Sequence, residues 1–137
     1  MTTNLFQNDV WVAVTPATVR AALVNVPQLV VWNPEIGQVT ATPTGFTLTR
    51  TTAALNRTET VTIHSAPNRV SYQSRGDRLD YRLVFDLVPR DGGTTLRETF
   101  TPETAAPWLT WLAPVAKRAF QRNLQQLARL LTLAAAQ

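Results

Sequence analysis

The sequence predicts an α+β fold in which a curved, seven-stranded antiparallel sheet wraps around a long C-terminal helix, in the order β-α-α-β6-α. Three observations carry this prediction. Residues 35 to 101 are a run of short alternating segments separated by turn residues, and connections that short cannot cross over a sheet, so consecutive strands pair antiparallel. Leu79, Tyr81, Leu83, Phe85 and Leu87 alternate with Asp80, Arg82 and Asp86, so one face of the sheet is apolar and needs a cover. The segment from Trp108 to Ala136 repeats apolar residues at helical spacing and supplies that cover.

The first strand is expected over Phe6 to Val14, because Phe6, Val10, Val12 and Val14 share one parity. Thr15-Pro16 starts a helix, with Thr15 as N-cap and Pro16 at a position where a missing N–H costs nothing. Val19, Ala22 and Leu23 form its apolar stripe, and Asn25-Val26-Pro27 ends it. A second short helix is expected from Pro27 to about Trp32, closed by Asn33-Pro34. The six following strands are placed at Glu35–Ala41, Phe46–Thr52, Arg57–His64, Arg69–Ser74, Leu79–Val88 and Thr95–Thr101. Their separators are Pro43-Thr44-Gly45, Ala54-Leu55-Asn56, Ala66-Pro67-Asn68, Arg75-Gly76-Asp77 and Arg90-Asp91-Gly92-Gly93, each with turn-forming residues. Thr101-Pro102-Glu103 reads as the start of the final helix, which would run about 50 Å to Ala135 at ~1.5 Å per residue. Pro114 predicts a kink or break near Ala113, since its ring meets the carbonyl of Thr110.

At 137 residues, 45% hydrophobic and 16% charged, the chain is expected to fold as a single domain over residues 1–137 without staples. It has no cysteine, which excludes disulfides and thiolate metal sites. The N-terminus lacks the basic start and apolar run of a signal peptide, and the helical segment is interrupted by Lys117, Arg118, Arg122 and Arg129, so no stable membrane insertion is expected and the cytoplasm is the expected location. A net charge of +4 invites a nucleic-acid partner, but Arg69, Arg75, Arg78, Arg82, Arg90 and Arg97 alternate with acids as on a solvated strand face; no nucleic-acid partner is expected. The cations of the terminal helix read most simply as a solvated face, with a transient attraction to anionic membranes as the alternative.

The order of strand, two short helices, six-strand meander and terminal helix resembles the helix-grip fold of the START-like, or SRPBCC, superfamily, which includes polyketide cyclase-like and Bet v 1-like proteins. The resemblance covers nearly the whole chain. Its local carriers are Val14-Thr15-Pro16-Ala17-Thr18-Val19, Trp32-Asn33-Pro34-Glu35-Ile36, Ala66-Pro67-Asn68-Arg69-Val70 and Gly92-Gly93-Thr94-Thr95-Leu96. What the resemblance implies is a cavity between the concave sheet face and the long helix; it does not imply one chemistry.

Parity then nominates the cavity lining. Tyr72 shares a face with Val70, and Tyr81 and Phe85 share one with Leu83, while Trp108, Leu112, Val115 and Phe120 face them from the helix. Plain core packing is the competing explanation for each of these aromatics. Arg50 has the parity of Phe46 and Leu48, and Glu98 that of Leu96 and Phe100, so both point inward, where a lone charge is costly. They would pair with each other or hold a polar head group, unless they sit at the rim or a bulge reverses them. Trp32 either guards the mouth or anchors the junction after the second helix. His64, the only histidine, falls on the convex side and suits neither a metal site nor a triad; no cofactor or metal is expected, and Gly92-Gly93 is a turn rather than a phosphate loop.

These features predict a binding protein, carrier or sensor, for a small, largely apolar molecule such as a lipid or a polyketide-like compound. The first alternative is a polyketide cyclase/dehydratase-like enzyme with Glu98, Tyr72 or Tyr81 as acid or base and Arg50 as stabiliser. The second is a protein-interaction module whose groove takes a partner segment. The catalytic residues stay unassigned, and a homodimer is compatible with the sequence.

Overall fold

In a computed structural model of the chain, residues 4–51, 55–104 and 107–136 are described. β1 is Phe6–Val12, α1 Pro16–Val24, then a 3₁₀ turn at Val26–Gln28 leads into α2, Leu29–Trp32. The strands that follow are β2 (Ile36–Thr42), β3 (Gly45–Arg50), β4 (Thr58–Ala66), β5 (Arg69–Gly76), β6 (Asp80–Arg90) and β7 (Gly93–Pro102), and α3 (Leu109–Ala135) ends the chain. The seven strands form one sheet in the order β1-β7-β6-β5-β4-β3-β2, antiparallel at every pairing. This is the helix-grip α+β architecture expected from the sequence.

Local chemistry explains the elements. Thr15 caps α1, its hydroxyl accepting the Thr18 N–H at 3.3 Å, and Pro16 occupies the first turn as read from the sequence. Asp91 and Gly92 both have positive φ, 52° and 78°, the signature of a two-residue hairpin turn that matches strand twist. That turn sets Arg90 opposite Gly93 and thereby the register of the longest strand pair. The concave rows follow from register: Asn8, Glu98, Phe85 and Val70 stand side by side, and the next row is Phe6, Phe100, Leu83 and Tyr72.

α3 is held by aromatic contacts. Phe120 packs edge-on against Phe6 and Phe100 with ring centroids 5.2 and 5.5 Å away. Phe100 in turn stacks on Phe6 at 5.0 Å and on Tyr81 at 4.6 Å. Four rings from β1, β6, β7 and α3 thus form one cluster, each pair adding about 0.5–1.5 kcal/mol beyond area burial. Leu109, Leu124, Leu127 and Ala128 extend the same buried face of the helix.

Several boundaries differ from the sequence reading. β1 stops at Val12, although Val14 remains buried and its carbonyl accepts the Thr94 hydroxyl at 2.7 Å. Pro27 lies inside the 3₁₀ turn rather than opening a helix. Thr101-Pro102-Glu103 does not start the final helix: Pro102 is the last residue of β7, paired with Tyr81, where a proline costs no ladder bond that the strand end needs. Glu103 pairs with Arg82 at 3.6 Å, and the helix begins at Leu109, after Pro107. Nor does Pro114 break the helix, which runs through it to Ala135. Pro114 and Thr110 are exposed, so water can serve the one carbonyl that the missing N–H leaves open. Thr52 of the third expected strand and Ala54 of the following separator lie outside the described residues.

The β3–β4 connection is pinned by Asn56, which is fully buried. Its side chain donates to Leu79 O at 2.9 Å and accepts the N–H groups of Arg78 and Leu79 at 2.9 and 2.8 Å. Gly76 is required beside it, because a Cβ there would come within 2.1 Å of the Asn56 side chain. We expect Asn56→Ala to remove its three backbone hydrogen bonds, two of them to the buried Leu79, and cost about 2–3 kcal/mol in urea unfolding; a loss below 0.5 kcal/mol would show the staple to be dispensable.

Candidate functional site

The concave face carries several buried polar groups, Asn8, Glu59, Ser74 and Glu98 among them, beside the space under α3. Glu59 of β4 shares the inward parity of Val61, and its side chain is wholly out of water. The Arg50 guanidinium lies diagonally across from it on β3 and forms an ion pair through Nε; Arg50 also donates from Nη2 to the Tyr81 hydroxyl at 2.9 Å. Ser74 Oγ donates to the second Glu59 oxygen at 2.6 Å. Every charge in this cluster is therefore compensated, the condition under which a buried pair is tolerated.

Glu98 sits apart from that network. Asn8 Nδ2 donates to Glu98 Oε1 at 3.3 Å and to the backbone carbonyl of Lys117 at 3.1 Å, joining β1, β7 and α3 at one point. Burial raises the Glu98 carboxyl to about 8, against a small opposing effect of the Asn8 amide, so at neutral pH it is mostly a neutral acid. Burial also pushes the Tyr72 and Tyr81 phenols above their usual range, with Glu98 adding to the first and Glu59 to the second. The Tyr72 hydroxyl donates to the carbonyl of Leu23, tying α1 to the sheet.

These groups border an inner cavity whose apolar wall includes Leu29, Ile36, Leu48, Leu83 and Phe120 and whose polar wall includes Trp32, Arg50, Tyr72, Tyr81, Glu98 and Asn123. Its volume is only about 30 Å³. An adjoining mouth of about 60 Å³ lies between Leu55, Arg50 and Glu35 on one side and Leu112, Val115 and Ala119 of α3 on the other. A second, open groove runs between α2 and α3 past Val31, Trp32, Ala119 and Arg122. Asn123 divides groove from cavity, donating to Asn33 Oδ1 at 3.1 Å and Glu35 Oε2 at 3.0 Å. Trp32 lines the cavity, and its indole N–H is buried with no hydrogen-bond partner among the described residues.

The structure thus brings Trp32, Arg50, Tyr72, Tyr81, Glu98 and Phe120 to one cavity and Leu112 with Val115 to its mouth. Phe85 is instead completely buried in packing, edge-on to Tyr72 at 5.4 Å. Trp108 is set away from the cavity, with the Arg78 guanidinium 4.8 Å above its ring. Arg50 and Glu98 both point inward, but they do not pair with each other: Arg50 takes Glu59 and Glu98 takes Asn8. Sequence reasoning passed over Glu59, Asn8 and Ser74, although the parity of Val61, of Phe6 and of Tyr72 respectively already turned each of them inward. His64 is exposed. Among the described residues no group of three or more His, Cys, Asp or Glu is placed to hold a metal ion.

The family of polyketide cyclases/dehydrases and lipid transport proteins matches the chain over residues 5–132. The chain belongs to that family. No curated protein matches it by sequence. Among solved structures, a START superfamily protein from Mycobacterium smegmatis superposes with a TM-score of 0.72 at 18% identity, covering 95% of this chain and 100% of that one. The di-domain ARO/CYC StfQ of the steffimycin biosynthetic pathway gives 0.78 at 15% identity, all of this chain matching 53% of that one. A Thalictrum norcoclaurine synthase in complex with a transition-state analogue gives 0.75 at 9% identity, covering 98% of this chain and 97% of that one. At these identities the likeness establishes the START-like fold and nothing finer.

Two measurements follow from the geometry. Because Glu98 titrates near 8 when folded and near 4.5 when unfolded, its neutral form is favoured in the native state. Stability is then fully present below about pH 4.5, declines as the unfolded chain alone loses its proton, and levels off above about pH 8. Glu98→Gln is expected to flatten that decline, gaining a few kcal/mol at pH 8 relative to pH 5, as read by chemical denaturation at both values; an unchanged pH slope would place the titration elsewhere. Glu59→Gln, which leaves Arg50 buried without a counter-charge, should cost about 3–5 kcal/mol, whereas the double change Arg50→Met with Glu59→Met should recover most of it.

Proposed function

We propose that this START-like protein binds a small, mostly apolar molecule that carries an acceptor oxygen, and holds it in the cavity between sheet and α3 as a carrier or sensor. The observation that carries the reading is Trp32, a cavity-lining side chain whose buried indole N–H has no partner among the described residues. An orphaned buried donor costs about 1–3 kcal/mol, so a ligand oxygen that meets it recovers that cost on binding. Arg50 supports the same chemistry. Two of its five N–H groups are placed on Glu59 and Tyr81, and its guanidinium borders both the cavity and the mouth. Leu29, Ile36, Leu48 and Phe120 would enclose the apolar part of the ligand.

The enclosed space is far below the ~300 Å³ of a typical ligand pocket. Binding therefore requires the mouth to widen, and the side chains that must give way are Leu112, Val115 and Phe120 of α3 against Leu55 of the β3–β4 connection.

A second reading is favoured by one specific feature, the neutral carboxyl of Glu98 in the cavity wall. An acid that titrates near neutral pH beside a bound carbonyl compound can give a proton to its oxygen and later take one back. The protein would then be a cyclase- or dehydratase-like enzyme, with Glu98 as acid/base. The family description and the ARO/CYC likeness are compatible with this.

Native mass spectrometry of the purified protein, before and after denaturation, tests the first reading. We expect an excess mass that is released on unfolding, or one acquired from a panel of fatty acids and aromatic polyketide-like compounds, with at least a tenfold weaker complex for Trp32→Phe. No adduct with any compound would overturn the ligand reading. If Glu98→Gln keeps the complex but abolishes conversion of the bound compound, the enzyme reading replaces the carrier.

A further inference from the structure

The charge of this protein is not spread over it. α3 carries Lys117, Arg118, Arg122 and Arg129 and no acid, whereas the rest of the chain has nine basic and nine acidic residues and is neutral. The whole formal charge of +4 therefore resides on one helix. Among the described residues the four ion pairs involve Arg50, Arg69, Arg82 and Arg97, so no cation of α3 has an acidic partner. A solvated helix face ordinarily intersperses both signs of charge, and this one does not.

Position along the helix adds a second observation. Trp111, Val115, Arg118, Arg122, Arg129 and Leu133 recur at spacings of three, four and seven residues and so form one outward stripe. Its ends are apolar and open to solvent: Trp111 is 86% exposed, Val115 63% and Leu133 57%. The three arginines lie between them, on a stripe about 33 Å long. Val31 of α2, 55% exposed, borders the groove that Arg122 also lines. Val115 belongs both to this stripe and to the cavity mouth.

We propose that the outer face of α3 is a docking surface for anionic lipid bilayers, which lays the mouth of the cavity against the membrane. Anionic head groups match the unpaired arginines, and the interfacial zone takes up a tryptophan ring that water solvates poorly. A nucleic acid would satisfy the arginines but leaves Val115, Leu133 and Val31 in water. Docking is peripheral: no helix among the described residues is long and apolar enough to cross a membrane. The surface stands independently of the ligand reading, since it is built from the charge and exposure of the helix's outer stripe, which meets the mouth only at Val115.

The test is co-sedimentation of the full chain, without added ligand, with vesicles of phosphatidylcholine alone or with one-third phosphatidylglycerol. The protein is expected to partition onto the phosphatidylglycerol vesicles only, and to leave them at roughly 0.5 M salt, where the screening length falls to a few Å. Arg118→Gln with Arg122→Gln and Arg129→Gln should lower partitioning on the order of a hundredfold, about fivefold per cation. The same charge loss placed elsewhere, Arg57→Gln with Arg75→Gln and Arg90→Gln, should lower it less than tenfold. Trp111→Ser should lower it several-fold with circular dichroism unchanged. The proposal is overturned by absence of vesicle binding at low salt, by equal loss in the two triple variants, or by binding of single-stranded RNA where vesicles are not bound.

Discussion

A single helix cannot fill a concave sheet of seven strands, and most of what is particular to this protein follows from that mismatch. An α-helix with its side chains is about 10–12 Å across, whereas seven strands at about 4.8 Å spacing span roughly 29 Å. α3 settles along the β1 side, where Phe120 meets Phe6 and Phe100. α1 covers part of the remainder by way of the Tyr72–Leu23 bond. The β3–β4 side is left under the mouth, where Leu112, Val115, Ala116, Ala119 and Phe120 of α3 face Leu55 and Arg50.

Polar residues gather where the helix does not reach. Glu59 and Arg50 offset each other's charge, with Tyr81 and Ser74 adding hydrogen bonds, which lets a charged pair stand in the cavity wall. Glu98 is handled differently: burial favours its neutral acid, and the one amide that donates to it offsets only part of that effect. Two inward acids of the same residue type thus differ in their surroundings: Glu59 has a guanidinium and a hydroxyl beside it, Glu98 a single amide. Trp32 completes the set as a buried donor with no acceptor among the described residues, a feature that buried polar groups rarely show.

The helix that roofs the cavity also meets the outside. Its inner face adds Phe120 to the aromatic cluster, and its outer stripe carries three of its four cations. Any ligand that enters past Leu112 and Val115 therefore passes beside arginines and an exposed tryptophan. The Asn8 bond to the Lys117 carbonyl links the same helix to the interior acid, so the cavity and the outer surface share one structural element.

The order of elements, the turn chemistry and the face on which each strand residue lies were all legible in the sequence, because parity and turn preference are local properties of the chain. They turned Arg50 and Glu98 inward, and the same rule applied to Glu59, Asn8 and Ser74 would have found the rest of the polar wall. Local pattern could not reveal which inward charge meets which. Consecutive pairing already placed β3 beside β4, but the register that sets Arg50 diagonal to Glu59 and the β1–β7 pairing that gives Glu98 its Asn8 partner belong to the assembled sheet. The helix start was misplaced for a similar reason: Thr101-Pro102 suits a cap or a strand end equally, and the ladder to Tyr81 decided it. Whether an aromatic lines a cavity or fills a core was also a tertiary outcome. Phe85 and Tyr72 share the inward face on adjacent strands, yet only Tyr72 stands where the helix leaves space.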